Sequence, residues 1–82
     1  MIHGRVQGVF FRDTTRRRAA ERGVSGWVRN NQDGTVEAVF EGEADAVDSM
    51  VRFAQEGPRG AFVERVDVIE EEPEGLSGFG VP

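Results

Sequence analysis

Nine residues near the start of the chain, Gly4-Arg5-Val6-Gln7-Gly8-Val9-Phe10-Phe11-Arg12, have the types and spacing to hold an anion. Two glycines four apart bracket a short apolar passage, and an arginine closes it. The residues that follow, Asp13 to Arg22, read as helix. A glycine-flanked loop running into a helix N-terminus offers backbone N–H groups with no intrahelical partner, where the helix dipole adds partial positive charge. Arg12 can place a planar, permanently charged fork at the same point, which suits the oxygens of a phosphate. An arginine at a helix N-terminus is unfavourable against the dipole, which argues for a functional reason.

Other chemistries lack their residues. The chain has one histidine, His3, and no cysteine. None of Ser25, Ser49 or Ser77 sits in a nucleophile-elbow context, so a Ser-His-Asp site is not supported, and His3 reads as a structural strand residue. The acids Asp45 and Asp48, and Glu70 to Glu72, read as a helix face and a loop rather than as metal ligands. No pair of carboxylates stands out for acid–base work. What is left is a donor-rich site without a general acid or base.

A second stretch, Gly26-Trp27-Val28-Arg29-Asn30-Asn31-Gln32-Asp33-Gly34-Thr35-Val36, lies downstream. Together the two closely resemble the acylphosphatase family, whose motifs have the forms G-R-V-Q-G-V-x-F-R and G-x-V-x-N-x-x-D-G-x-V. The likeness continues through Gly57-Pro58 and Val63, Val66 and Val68 to Phe79, nearly the whole chain. The resemblance implies hydrolysis of the carboxyl–phosphate bond of acyl phosphates to carboxylate and inorganic phosphate. It implies in-line attack by water, with no metal, cofactor or covalent intermediate. It assigns Gln7, Gly8, Val9, Phe10, Phe11 and Arg12 to the phosphate cradle, and makes Arg12 and Asn30 the catalytic pair. Asn30 matches the family's water-orienting asparagine. Gly4, Gly8 and Gly34 match glycines that shape the loop and hairpin. Taken alone, Asn30 reads as the start of a turn.

The residue chemistry agrees with that substrate. Phosphoryl transfer needs positioning and charge stabilisation more than covalent help. A poor leaving group needs a proton as it departs, whereas a carboxylate, with a conjugate acid of pKa about 4, does not. A site of one arginine, backbone N–H groups and an amide therefore suits an acyl phosphate and few other phosphate esters.

Charge distribution points to a small anionic partner. Residues 1–29 carry seven arginines against Asp13 and Glu21, while residues 30–82 carry three against thirteen acids, for a net charge of −5. The positive excess surrounds the proposed anion loop, and a small substrate needs only such a local field. An acidic chain is a poor nucleic-acid ligand. No apolar run approaches the ~18–20 residues of a membrane span, and no signal-peptide pattern is present. A single domain of residues 1–82, cytoplasmic and monomeric, is expected. All ten basic residues are arginine. Either genome composition or adaptation to high salt accounts for the absence of lysine.

The elements that must position these groups follow from periodicity. Met1 to His3 reads as a first strand ending at Gly4, and Phe11 to Arg22 as a helix with Phe11, Thr15 and Ala19 on its thin apolar face. Gly23 is its stop. Val24 to Asn30 and Thr35 to Glu41 read as strands joined by a turn in which Asp33-Gly34 supplies positive φ. Ala44 to Glu56 is the clearest helix, with Val47, Met50, Val51 and Ala54 in a stripe and an i, i+4 pair at Asp48 and Arg52. Ala61 to Glu71 reads as a fourth strand, with a bulge between Val63 and Val66, and Leu76 to Val81 as a short edge strand. The fold class is α+β. The order is βαββαβ, a ferredoxin-like sandwich with an antiparallel four- to five-stranded sheet and two helices on one face. The first strand is expected at the centre, parallel to the third and antiparallel to the fourth.

Family members usually carry more strand residues before the first motif glycine, so the first strand reads as truncated, and its neighbours' backbone groups as poorly paired. Two alternatives remain on the sequence. One is the acylphosphatase-like end of larger carbamoyl-transferring maturation proteins, which the chain length disfavours. The other is a non-catalytic ferredoxin-like module for a small anion or RNA. Phe10 and Phe11 also resemble the aromatic stretch of RNA-recognition motifs, but the acidic charge argues against RNA. Arg16-Arg17-Arg18 reads as a solvated face, and Trp27 as a packing residue.

Overall fold

The computed structural model describes residues 1–8 and 10–81. Val9, expected in the anion loop, lies outside the described residues. The elements are β1 (Ile2–Arg5), α1 (Phe11–Arg22), β2 (Ser25–Asn30), β3 (Val36–Glu41), α2 (Ala44–Glu56), β4 (Phe62–Val66) and β5 (Phe79–Gly80). The sheet order is β4-β1-β3-β2-β5, the ferredoxin-like arrangement with an added edge strand. Both helices begin and end where the sequence places them.

Two expectations about strand direction need correcting. β1 is antiparallel to β3 as well as to β4. The α1 crossover returns the chain parallel to β1, and the tight β2–β3 turn then reverses it, so β3 must oppose β1. β5 pairs parallel with β2, Gly26 opposite Phe79 and Trp27 opposite Gly80, so the sheet is mixed rather than wholly antiparallel.

One face of the sheet buries the core against the helices. Ile2, Val28 and Val36 from the strands meet Phe11 and Ala19 of α1 and Met50, Phe53 and Ala54 of α2. The Phe11 and Phe53 rings tilt together at 5.8 Å, joining the two helices directly. The buried face of α1 is narrow, with Ala19 set against the core. Thr15, also buried there, satisfies its hydroxyl by donating to the Phe11 carbonyl at 2.7 Å. Gly23 closes α1 in the left-handed region (φ 67°), donating to carbonyls of the last turn. On α2, the ion pairs among the described residues do not include Asp48 with Arg52.

β4 is shorter than its apolar pattern predicts, and β1 explains where it stops. Ile2 lies opposite Val66, and His3 opposite Arg65. Beyond Val66, β4 has only Met1 alongside, through the Asp67 N–H to the Met1 carbonyl at 2.9 Å. Val68 and Ile69 are accordingly exposed. The expected bulge is present. Gly4 pairs with Val63, so Glu64 is the extra residue on β4. A Cβ on Gly4 would collide with the Phe62 carbonyl and lie 2.9 Å from the Glu64 nitrogen, and φ there is +130°. The first motif glycine is thus fixed by the close approach of β4.

Candidate active site

The loop between β1 and α1 and the end of β2 meet at one mouth of the sheet. Gly8 (φ 75°) and Phe10 (φ 58°) both take the left-handed conformation, turning the chain sharply into α1. Nothing would crowd a Cβ on Gly8, so glycine is needed there for its φ alone. Phe10 occupies the N-cap, and no side chain caps the first turn. The leading N–H groups of α1 are therefore left for water or a ligand.

Gln7 acts differently from its neighbours. Its side-chain amide donates to the Asn31 carbonyl at 2.8 Å and to the Thr35 carbonyl at 3.0 Å. It ties the loop to the β2–β3 turn, so only its main chain is free to serve an anion. The turn is itself braced. The Thr35 hydroxyl and N–H both donate to Asp33 Oδ1, at 2.6 and 3.0 Å, and Gly34 alone supplies the positive φ. Those two bonds, the hydroxyl's first, hold the Asp33 carboxyl below its usual value of 3.8. Asp33 therefore braces the turn as a carboxylate, and the brace weakens as pH falls below that value.

A cleft of about 430 Å³ opens here, with Gly8, Phe10, Arg12 and Asn30 around it. Arg12 is exposed and makes no hydrogen bond or ion pair with the described residues. The other arginines of α1 are engaged. Arg16 reaches Asp13 Oδ1 at 3.0 Å and Arg17 reaches Asp13 Oδ2 at 3.3 Å. The Arg18 guanidinium lies over the Phe53 ring at 4.6 Å, and Arg22 donates to the Ser49 hydroxyl at 2.9 Å. The Asn30 side chain also has no partner among the described residues, and its Oδ1 is buried. A buried polar atom without a partner costs about 1–3 kcal/mol, a cost borne where water or a ligand completes the site.

The sequence reading named Arg12 and Asn30, and both line this one cavity. It missed Val6, Asp13, Arg16 and Val81, which also line it. Asp13 stands at i, i+3 to Arg16 and at i, i+4 to Arg17, so spacing alone did not single out Arg16. Val81 had no local signal, because it depends on β5 docking parallel to β2. Phe11 belongs to the core at 2% exposure, whereas Phe10 stands at the cleft at 81%. Trp27 is half-buried with the Arg29 guanidinium 5.0 Å from its ring, a packing role. His3 pairs with Asp67 at 2.9 Å, a strand contact away from the cleft.

The acylphosphatase family model matches residues 1–81. The chain belongs to the acylphosphatase family. Members of this family are hydrolases acting on acyl phosphates. An acylphosphatase of Rubrobacter xylanophilus is 66% identical over 82 residues, spanning 98% of this chain and 74% of that protein. The crystal structure of an acylphosphatase from Bacillus subtilis superposes with a TM-score of 0.93 at 35% identity, covering 99% of this chain and 91% of that one. The fold also serves inside a larger protein. A structure of full-length HypF, in a phosphate- and nucleotide-bound form, matches with a TM-score of 0.87 at 29% identity, but over only 11% of its length. Among the described residues of this acylphosphatase-family chain, no helix is long and apolar enough to cross a membrane.

Proposed function

We propose that this chain hydrolyses acyl phosphates through a site in which Arg12 and the main chain from Gln7 to Phe11 seat the phosphoryl group and Asn30 orients the attacking water. The observation that carries the reading is the pairing of two unspent groups at one cleft. Among the described residues, Arg12 is the arginine of α1 without a partner, and Asn30 Oδ1 is buried without one. A guanidinium in that state suits a dianionic phosphoryl group. An amide in that state suits a water held in line with the departing oxygen.

The reaction balances without a proton donor in the protein. Water oxygen bonds to phosphorus as the bond from phosphorus to the bridging oxygen breaks. RCO–OPO3²⁻ and H2O become RCOO⁻ and H2PO4⁻. The electron pair of the broken bond leaves on the carboxylate, and both water protons end on phosphate. Arg12 and the loop N–H groups offset charge on the phosphoryl oxygens during attack. In this reading the protein works as a cytoplasmic monomer.

Hydrolysis of benzoyl phosphate, followed with and without a chelator, tests the reading. Turnover at equal rates in both conditions is the expected result. Phosphate binding without turnover would favour a non-catalytic anion module. A large loss on chelation, restored by divalent ions, would overturn the metal-free mechanism.

A further inference from the structure

We infer that Phe10 and Val81 form the wall against which the acyl group rests, so that the chain favours acyl phosphates with an aromatic acyl group. The inference rests on the hydrolase reading and deepens it.

Phe10 takes no part in the core formed by the described residues. Its side chain is 81% exposed. Its backbone is in the left-handed region (φ 58°), a conformation that disfavours bulky residues and that glycine would adopt freely. A large apolar side chain held there without burial is a cost that packing does not offset. Val81 is likewise exposed, at 40%. Both line the cleft that holds Arg12 and Asn30. The other large apolar side chains that stand exposed, such as Phe62, Val68 and Ile69, are not among its lining residues.

The topology explains how two distant residues share this position. β5 runs parallel to β2, with Gly80 opposite Trp27. The next residue, Val81, therefore advances along β2 in the direction of Asn30. Phe10 comes from the other side, at the start of α1. Of the remaining lining side chains, Val6 and Phe11 are buried in the core, and Asp13 and Arg16 are bonded to each other at 3.0 Å. The uncommitted surface beside the phosphoryl position is thus apolar, with one flat ring. A planar aromatic acyl group can stack on that ring or meet it edge-to-face.

The test compares kcat/KM for benzoyl phosphate and acetyl phosphate in the wild type, Phe10→Ala, Phe10→Trp and Val81→Ser. Taking the benzoyl-to-acetyl ratio relative to wild type cancels the intrinsic reactivity of the two substrates. In Phe10→Ala the ratio should fall by about five- to tenfold, carried by KM, as expected for a lost aromatic pair. Phe10→Trp should keep it, and Val81→Ser should lower it by a smaller factor. Circular dichroism confirms that each variant is folded. An unchanged ratio in folded Phe10→Ala would overturn the inference while leaving the hydrolase reading standing. A wild type that hydrolyses neither substrate would take down both.

Discussion

Five arginines lie on α1, and only Arg12 lacks a partner among the described residues. In the proposed reading its role differs from that of Asn30, which also has no partner among the described residues. A phosphate group carries charge in both ground and transition states, so Arg12 should serve both. Asn30 is neutral and should act on the water, whose position matters during attack. Arg12→Ala should therefore weaken competitive inhibition by inorganic phosphate and abolish turnover, and Arg12→Lys should recover little, because a point charge does not reproduce the fork. Asn30→Ala should leave phosphate inhibition nearly intact while kcat falls by about 10²-fold or more. Measuring both quantities on the folded variants decides it. Equal loss of phosphate binding in the two would move Asn30 into the cradle. These two residues were legible because each sits in a contiguous motif beside a turn or a helix start. The cleft's other walls were not. Arg16 looked like its neighbours Arg17 and Arg18, and nothing local in the sequence tells which of the three faces the cavity. Gln7 was legible as a loop residue, but its bonds to Asn31 and Thr35 span more than twenty positions.

Among the elements, the helices were readable to the residue because their limits are local: an apolar stripe, and a glycine just past the end. Strand limits are set by neighbours. β4 has the apolar pattern to continue past Val66, yet it stops where β1 stops accompanying it. β1 also meets β3 only at Ile2 opposite Val36. By that register, Ala38 to Glu41 lie past the first residue of the chain and face no strand on that side among the described residues. The strand directions misread from sequence have the same origin, since they depend on how crossovers and turns alternate along the chain. The geometry predicts that about six alternating apolar residues placed ahead of Met1 would pair with β3 on one side and with residues 67–71 on the other. Val68 and Ile69 would then be covered. A gain of ~1 kcal/mol in a domain this small raises the melting temperature by roughly 4–8 °C, and calorimetry of the lengthened and original chains would show it. An unchanged midpoint would mean that the ladder from Ile2 to Arg5 already saturates the sheet.

Across the whole molecule, two charge distributions coexist, and salt should act on them in opposite directions. The ion pairs among the described residues engage only three of the fifteen acids, Asp13, Glu37 and Asp67. Most of the rest are exposed on α2 and along residues 64–74, where like charges repel. Screening that repulsion favours the compact state, so the melting temperature should rise as sodium chloride increases. Around the cleft the sign is reversed. Arg12, Arg16 and Arg17 outweigh Asp13, and under the proposed function this positive patch attracts a dianionic substrate through solvent. The Debye length shrinks from about 10 Å at 0.1 M to about 3 Å at 1 M, so this attraction should fade over the same range. The expected outcome is a several-fold fall in kcat/KM together with a higher melting temperature, both followed along one salt series. A melting temperature that falls would show that the five ion pairs outweigh the acidic repulsion. A kcat/KM indifferent to salt would show that substrate capture depends on the loop and Arg12 at contact rather than on the longer-range field. The stability arm also bears on composition. A steep rise with salt would favour adaptation to high salt as the reason for a lysine-free acidic surface, and a flat response would leave genome composition as the simpler account.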